Sequence, residues 1–414
     1  AQGSGRLPAA APEAPRESDA DRALTRLLDE DLEATKRASP VSASTRGDRR
    51  FDRQLADESE AAYLARARAA NDMLVRLAQI DVEQLSDENR LNYALLERDL
   101  RDRAAGARFK PWQFSVTNLS GPQQDLVQMV DRLSFDTEEQ KRDFLARLRE
   151  IPRVVDQNIA NLRAGMQAGR VQPRTAVAAT PDQAFSGASP EHVKDPTTHP
   201  LYKPFVELDR NDPLAREAQQ AIRESVIPSL RKFGEFLRDE YVPAARESVG
   251  ASEYPDGAEF YDYMLGVMTT TGLTAGEIHE IGLSEVARIR AEMMETIRRS
   301  DFMERAEAKS ARGDDERLFR AFLDYLRNDE RFYAKSADEL LGAYRDAAKR
   351  ADAWMPRLFK TLPRLPYGVR EMPAFMAPSA PTAYYLSGSI ENGVSGTFIA
   401  NTHRLETRPL YEVV

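Results

Sequence analysis

The sequence contains no cysteine, which excludes structural disulfides, thiolate metal sites, iron–sulfur clusters and cysteine nucleophiles together and leaves the redox compartment unmarked. It has no run of about 18 apolar residues, the length a helix needs to cross a bilayer, so no membrane span is expected. Histidine is scarce, with four in 414 residues, and the 24 prolines and 21 glycines are too few for a low-complexity chain. Positive charge is in deficit: Lys and Arg total 58 against 67 Asp and Glu, a net charge of -9. Such a chain, without a local basic patch, repels a phosphate backbone, and no nucleic-acid partner is expected. Serine-hydrolase chemistry lacks its G-x-S-x-G elbow, because Gly393-Val394-Ser395 runs on into Gly396-Thr397. Neither a P-loop nor G-x-G-x-x-G occurs, so nucleotide binding has no support.

What is present is globular: 42% hydrophobic and 30% charged residues over a length that accommodates about two to four compact units, or one large one. Residues 1–17 are rich in Ala, Pro and Gly without apolar period, and a loose tail is expected there. The chain opens on Ala-Gln rather than Met, as a mature exported protein does after signal-peptide removal; the alternative is an arbitrary chain boundary.

From Ser18 the pattern turns helical. Leu24, Leu28 and Leu32 share a face, Tyr63, Ala67, Ala70, Leu74 and Leu77 form a second stripe, and a third follows Ser86. The longest stripe is Phe144, Leu148, Ile151, Val155, Ile159, Leu162 and Met166, behind a capping box from Thr137 to Gln140, and predicts a helix of about eight turns kinked at Pro152. Ile222, Val226, Leu230, Phe233 and Leu237 repeat the arrangement with Pro228 inside. Boxes at Thr274 to Glu277 and at Ser336 to Glu339 open two further helices; Gly282 in the first would let a neighbouring helix approach closely. The expected architecture is mainly α, with an N-terminal helical subdomain over 18–170, a Pro-rich connection or cleft cover over 171–213, and a second helical subdomain over 214–414.

Within the last part the residues between Pro373 and Thr402 carry β-favouring and turn types, with Glu391-Asn392-Gly393 placed like a hairpin connection, and a small antiparallel β unit is expected there. At 408–414 the sequence predicts the start of a helix, with Thr407 as N-cap and Pro409 in the first turn, that runs out of sequence, and a native polypeptide continuing past Val414 is expected.

Candidate chemistry is thin. His192 and His199 lie seven apart in the Pro-rich connection and are expected to be solvated loop residues. His279-Glu280 begins like H-E-x-x-H, but Leu occupies position 283, and His279 is expected to be an ordinary helix residue. His403 lies in a loop after the β unit, where ligand contact is the sharper option. The β unit is the better candidate. An exposed edge at Ser395, Gly396, Thr397 and Phe398 would offer free N–H and C=O groups to an extended peptide, with Gly396 admitting its backbone and Phe398 walling a side-chain pocket. An ordinary packed hairpin is the alternative.

Three blocks in order, LARLREIPRVVDQNIANLRAGMQAG at 145–169, FYDYMLGVMTTTGLTAGEIHEIGLSEVARIRAEM at 260–293 and GTFIANTHRLETRPLYEVV at 396–414, resemble the bacterial "domain of unknown function 885" family from about residue 20 to Val414. That resemblance implies a large curved multi-helix domain of the gluzincin oligopeptidase kind and an exported, periplasmic or extracellular zinc metallopeptidase acting on peptides. The family's metal motif, His-Glu followed by Pro-Gly-His-His, falls on the helix that opens with the equivalent of RPLYEVV, so no catalytic or metal-binding residue carries over to this sequence. The resemblance places zinc on a C-terminal segment or second chain, and the chain alone is expected to lack zinc and activity. By similarity Ser395, Gly396, Thr397, Phe398 and Asn401 would flank the cleft and bind substrate backbone. The alternative is a noncatalytic exported helical protein that binds peptides or partners.

Overall fold

The computed structural model describes residues 18–372, 377, 381–388, 390 and 393–413. The tail expected over 1–17 lies outside them, as do Glu391 and Asn392. The chain divides into two compact units at Thr271/Gly272, and among the described residues no helix is long and apolar enough to cross a membrane.

The first unit is helical. Ser18 caps α1 (Asp19–Ala38) in a box with Asp21; α2 (Pro40–Thr45), α3 (Glu60–Leu77, capped by Ser59) and α4 (Asp87–Gly106, capped by Ser86) follow. Leu24, Leu27, Leu77, Leu96 and Leu100 close a small core between them. Asp21 joins the starts of α1 and α4, accepting from Ser86 N at 3.0 Å and Asn89 Nδ2 at 2.8 Å. These donors, Asn89 foremost, hold its carboxyl far below the usual carboxylate range.

The main core is organised by α5 (Glu138–Gln167), 30 residues opened by the Thr137–Gln140 capping box. Phe144, Leu148, Ile151, Val155, Ile159 and Leu162 are each at most 4% exposed, and each such side chain contributes roughly 1.5–3 kcal/mol by leaving water. The helix runs through Pro152 without a break in its assignment. Near the other prolines the path changes. Between α6 (Pro213–Ala221) and α7 (Ile227–Phe236) the chain opens into a π turn at Ile222–Val226, just before Pro228, and again at Leu237–Tyr241, before Pro243. Proline has no N–H and its ring crowds the preceding turn, which a widened turn relieves. Gly165 is required where α5 meets the Pro111–Phe114 turn, since a Cβ there would lie 2.0 Å from the Gln113 carbonyl oxygen.

The Pro-rich segment 171–213 differs from the linker or cover expected of it. It winds into short helical turns, Arg174–Val177, Thr180–Ser186, Pro190–Lys194, Pro196–Thr198 and Pro200–Phe205. Val177, Ala184, Leu201 and Phe205 are fully buried in the main core. Prolines 181, 190, 196 and 200 sit in the first positions of these turns, where the missing N–H costs nothing. The segment therefore belongs to the first unit rather than dividing the chain.

His199 moves with it from solvent to core. It is 2% exposed, and its Nδ1 accepts the Leu201 N–H at 3.1 Å as a helix cap. Burial first, and then the neighbouring His192 ring at 5.0 Å, lower its pKa to about 4. Because the unfolded ring titrates near 6.5, the unfolded chain binds more protons between these values. The stability held by the neutral ring is complete above about pH 6.5 and is lost as pH falls toward 4. His199→Asn keeps a capping oxygen and removes the titration. From pH 7 to pH 5 the parent is expected to lose about 2 kcal/mol more than this variant in urea melts; parallel losses would rule the ring out.

The second unit begins after α8 (Gly257–Thr269) of the first and contains α9 (Ala275–Arg299), α10 (Asp315–Asn328) and α11 (Ala337–Asp352). The Thr274–Glu277 box opens α9 as the sequence predicts, and Ser336 caps α11 at the predicted position, but the box there is not closed: the Glu339 carboxylate accepts the Lys335 N–H instead. Met294 and Ile297 of α9 pack with Phe302, Ala308, Ala311 and Leu318. These partners gather at the C-terminal end of α9, so Val286 and Ile289 stay exposed, and no described atom lies within 4 Å of a Cβ at Gly282. The close helix neighbour expected at Gly282 is thus not found among the described residues.

The small β unit is present, with a topology richer than a hairpin. Strands β1 (Tyr367–Glu371), β2 (Ala383–Leu386) and β3 (Gly396–Ala400) form a mixed sheet of order β1-β3-β2, β3 antiparallel to β2 and parallel to β1. At the end of the chain the expected α-helix is replaced by single 3-10 turns, Leu405–Thr407 and Leu410–Glu412. The Thr407 hydroxyl donates to the Arg404 carbonyl and caps nothing. One isolated turn does not recover the cost of helix nucleation, and the 3-10 form closes with fewer residues.

Candidate functional site

The residues singled out from sequence, Ser395 to Asn401, form and flank β3. The structure places β3 in the middle of the sheet, not at its edge: residues 396–400 pair with 367–371 on one side, and 397–400 with 383–386 on the other. Its backbone is consumed by two ladders, so strand addition at β3 itself is ruled out among the described pairings. Gly396 and Thr397 are buried. The space over Gly396 is occupied by Tyr385, whose hydroxyl would lie 1.8 Å from a Cβ there. Glycine is needed at this position to admit a neighbouring ring rather than a ligand backbone.

Phe398 is half-buried, its ring 5.0 Å from that of Tyr344 on α11. Tyr385 is its cross-strand partner, so Tyr344, Phe398 and Tyr385 lie on one face. On the other face Ile399 joins Met372, Ala377 and Tyr384 in a small core. The Ser395 carbonyl accepts the Thr397 hydroxyl at 3.3 Å.

Asn401 is 1% exposed. Its Nδ2 donates to the carbonyls of Ala377 and Pro381 at 2.8 and 3.1 Å, its Oδ1 accepts from His403 N at 2.9 Å, and its backbone N–H bonds Thr382 O at 2.9 Å. This side chain positions the chain on either side of the sheet. His403 itself is exposed, as is His279.

Both β1 and β2 edge the sheet, and β2 is the edge with two adjacent exposed apolar side chains, Tyr385 and Leu386. Asn401 N donates to Thr382 O, so in the antiparallel register Thr382, Tyr384 and Leu386 turn their backbone groups toward β3, and Ala383 and Tyr385 turn theirs outward. Among the described residues nothing bonds those outward groups. Tyr385 and Leu386 are 58% and 48% exposed beside them. The sequence signal for this was the AYYL run at 383–386, apolar and aromatic before a glycine. At the start of β2 lies Arg408, whose Nη1 donates to Thr382 Oγ1 at 3.0 Å.

Zinc, implied by the family resemblance, needs about three protein ligands in a catalytic site. Among the described residues no three His, Cys, Asp or Glu side chains come together in a way that could hold a metal. His192 and His199 are neighbours, but His199 Nδ1 is taken by the Leu201 N–H and no third ligand joins them among the described residues. The described residues do not fit the ion, and no chemical step is derived through it.

Two solved structures share the fold. One, described as a "putative lipoprotein" from Colwellia psychrerythraea, is 18% identical with a TM-score of 0.78, over 96% of this chain and 70% of that one. The other, described as a "putative lipoprotein of unknown function" from Shewanella oneidensis, is 16% identical with a TM-score of 0.65, over 95% of this chain and 68% of that one. At these identities the likeness is one of fold. No curated protein matches the chain. The model of the bacterial proteins of unknown function named DUF885 matches residues 40–414, and the chain belongs to that family.

Proposed function

We propose that this protein engages an extended peptide along the outer edge of β2, as the substrate-holding part of an exported peptidase. One observation carries the reading: β2 pairs on a single side, with the outward backbone groups of Ala383 and Tyr385 free among the described residues and two exposed side chains, Tyr385 and Leu386, next to them. Backbone bonds to such an edge supply affinity without sequence specificity, and alternate side-chain contacts supply selection. The hydrolytic, zinc-dependent half of the reading rests on the family resemblance. Export is supported by the descriptions of the two structural neighbours as lipoproteins.

Ala383→Pro tests the edge. It removes one outward donor at the first residue of the strand, where proline is tolerated, and leaves the bonds to β3 in place. A fluorescent peptide of alternating Phe and Ala is expected to bind the full chain and to bind this variant roughly tenfold more weakly, the worth of about one hydrogen bond. Equal affinity would remove the edge from consideration. The hydrolytic half is tested separately, on this chain joined to the C-terminal segment on which the resemblance places the metal: with zinc present, mass spectrometry of the recovered peptide shows cleavage for a peptidase and an intact peptide for a noncatalytic binder.

A further inference from the structure

We infer that Arg408 is a carboxylate receptor at the start of β2, and that it makes the site selective for the free C-terminal end of a peptide lying antiparallel to that strand. The inference rests on the proposed β2 edge and adds to it a direction and an end.

Most arginines with a partner in the second unit face a carboxylate, as Arg298 faces Asp315 at 2.8 Å and Arg305 faces Asp329 at 2.6 Å. Arg408 forms no ion pair with any described carboxylate. Among the described residues the one partner of its side chain is a neutral hydroxyl, Thr382 Oγ1 at 3.0 Å, and its buried Nε has no hydrogen-bonding partner there. A guanidinium carries five donors in a planar fork whose best complement is a carboxylate bound by two parallel bonds. A buried N–H left without an acceptor costs free energy that a bound anion would recover.

The surroundings support an anion site. Tyr344, whose ring packs on Phe398, has its hydroxyl pKa raised chiefly by burial and pulled back by the Arg408 charge, so the cation lies within electrostatic reach of that ring. Glu412 acts on the same tyrosine in the opposite sense, but makes no ion pair with Arg408 among the described residues. With a net charge of -9 the protein as a whole repels anions, so a carboxylate needs a local cation to settle.

Geometry then selects the end of the peptide. Arg408 is bonded to Thr382, immediately before the first residue of β2. A strand added antiparallel to β2 runs from Leu386 back toward Ala383, which brings its carboxyl terminus to Thr382 and Arg408. A parallel strand would bring an ammonium group to the same cation, where like charges repel. The consequence is an end-recognising site that reads the last residues of a peptide, as cleavage near a free carboxyl terminus requires.

The test uses the full chain and one tetrapeptide of Phe and Ala, acetylated at its N-terminus and prepared both as free acid and as C-terminal amide, with affinities measured by calorimetry. The free acid is expected to bind the parent about tenfold to a hundredfold more tightly than the amide, the range of a charge-assisted bond. Arg408→Gln is expected to erase that preference, bringing the affinities of acid and amide together, and Arg408→Lys to retain part of it. Equal binding of acid and amide by the parent, weakened alike by Ala383→Pro, overturns the carboxylate receptor and leaves the β2 edge standing. Binding of neither form, or binding insensitive to Ala383→Pro, overturns the edge itself. A preference that survives in a folded Arg408→Gln protein assigns the carboxylate to another cation and also overturns the inference.

Discussion

Replacing Arg147 by methionine is expected to destabilise the first unit by about 3 to 5 kcal/mol, among the larger effects a single substitution produces. Arg147 projects from α5 into the core and is 2% exposed. Its Nε donates to Gln54 O at 2.9 Å, and its Nη2 reaches Ser44 Oγ at 2.6 Å, Phe51 O at 3.0 Å and Pro40 O at 3.4 Å. One guanidinium thus gathers the ends of α2 and the 49–54 turn onto the long helix. Burial lowers its pKa to about 10, so it is still charged at neutral pH. Methionine fills a similar volume but donates nothing: Gln54 O loses the charged donor, Phe51 O keeps only the Gln54 N–H, and Pro40 O and the Ser44 hydroxyl keep only local bonds such as the one to each other. Lysine restores a charge but not the fork, and should recover only part of the loss. Trp112, 3% exposed in the first unit, reports its unfolding by fluorescence once the exposed Trp354 is replaced by Phe. The thermal midpoint should fall by about 10 °C, given a few degrees per kcal/mol for a unit of this size. A change of under a degree would show that water or rearranged backbone satisfies those carbonyls.

That arginine was invisible to periodicity, which marks apolar faces and passes over a buried cation. The helix that carries it was legible, because the Thr137–Gln140 box and the stripe from Phe144 to Leu162 are local features read within one element. The same local logic found the caps at Thr274 and Ser336 and the start of the first helix at Ser18. It misread 171–213, since proline marks the first turn of a helix as readily as it marks a loop, and only burial of Val177, Leu201 and Phe205 distinguishes the two. The β2–β3 pairing was legible from its composition and from Gly393, whose φ of 63° is the left-handed geometry a tight connection needs. Strand β1 was missed, although Pro366 and Pro373 bracket it. Its five residues pair in parallel with a strand 24 residues ahead, and no local pattern encodes a partner at that distance. Missing β1 is what made β3 look like an edge. Tyr385 over Gly396 and the unpaired Arg408 are likewise products of the completed sheet.

The second large effect is expected at Asn401, the keystone of that sheet. Four hydrogen bonds tie it to Ala377, Pro381, Thr382 and His403, bridging the segment before β2 and the turn after β3. Asn401→Leu preserves the volume and the backbone bond to Thr382. It takes the side-chain donor from the buried Ala377 carbonyl and from the Pro381 carbonyl and the acceptor from the His403 N–H, at a cost of about 2 to 4 kcal/mol. Asn401→Asp keeps an acceptor for His403 N–H but turns a carboxylate oxygen toward the Ala377 and Pro381 carbonyls, and should be no better. Because the sheet is small, the loss should appear as local opening rather than as unfolding of the whole chain. Amide hydrogen exchange in peptides covering Tyr367–Glu371 and Gly396–Ala400 is expected to accelerate by about thirtyfold to a thousandfold, at a factor of ten per 1.4 kcal/mol, while α5 exchanges as in the parent. Loss of the sheet should also abolish peptide binding at β2, since the edge exists only while β3 holds β2 in register. Unchanged exchange in both strands would mean that the apolar cluster of Met372, Ala377, Tyr384 and Ile399 holds the sheet without this asparagine. Faster exchange with peptide affinity intact would place the binding site elsewhere than on β2.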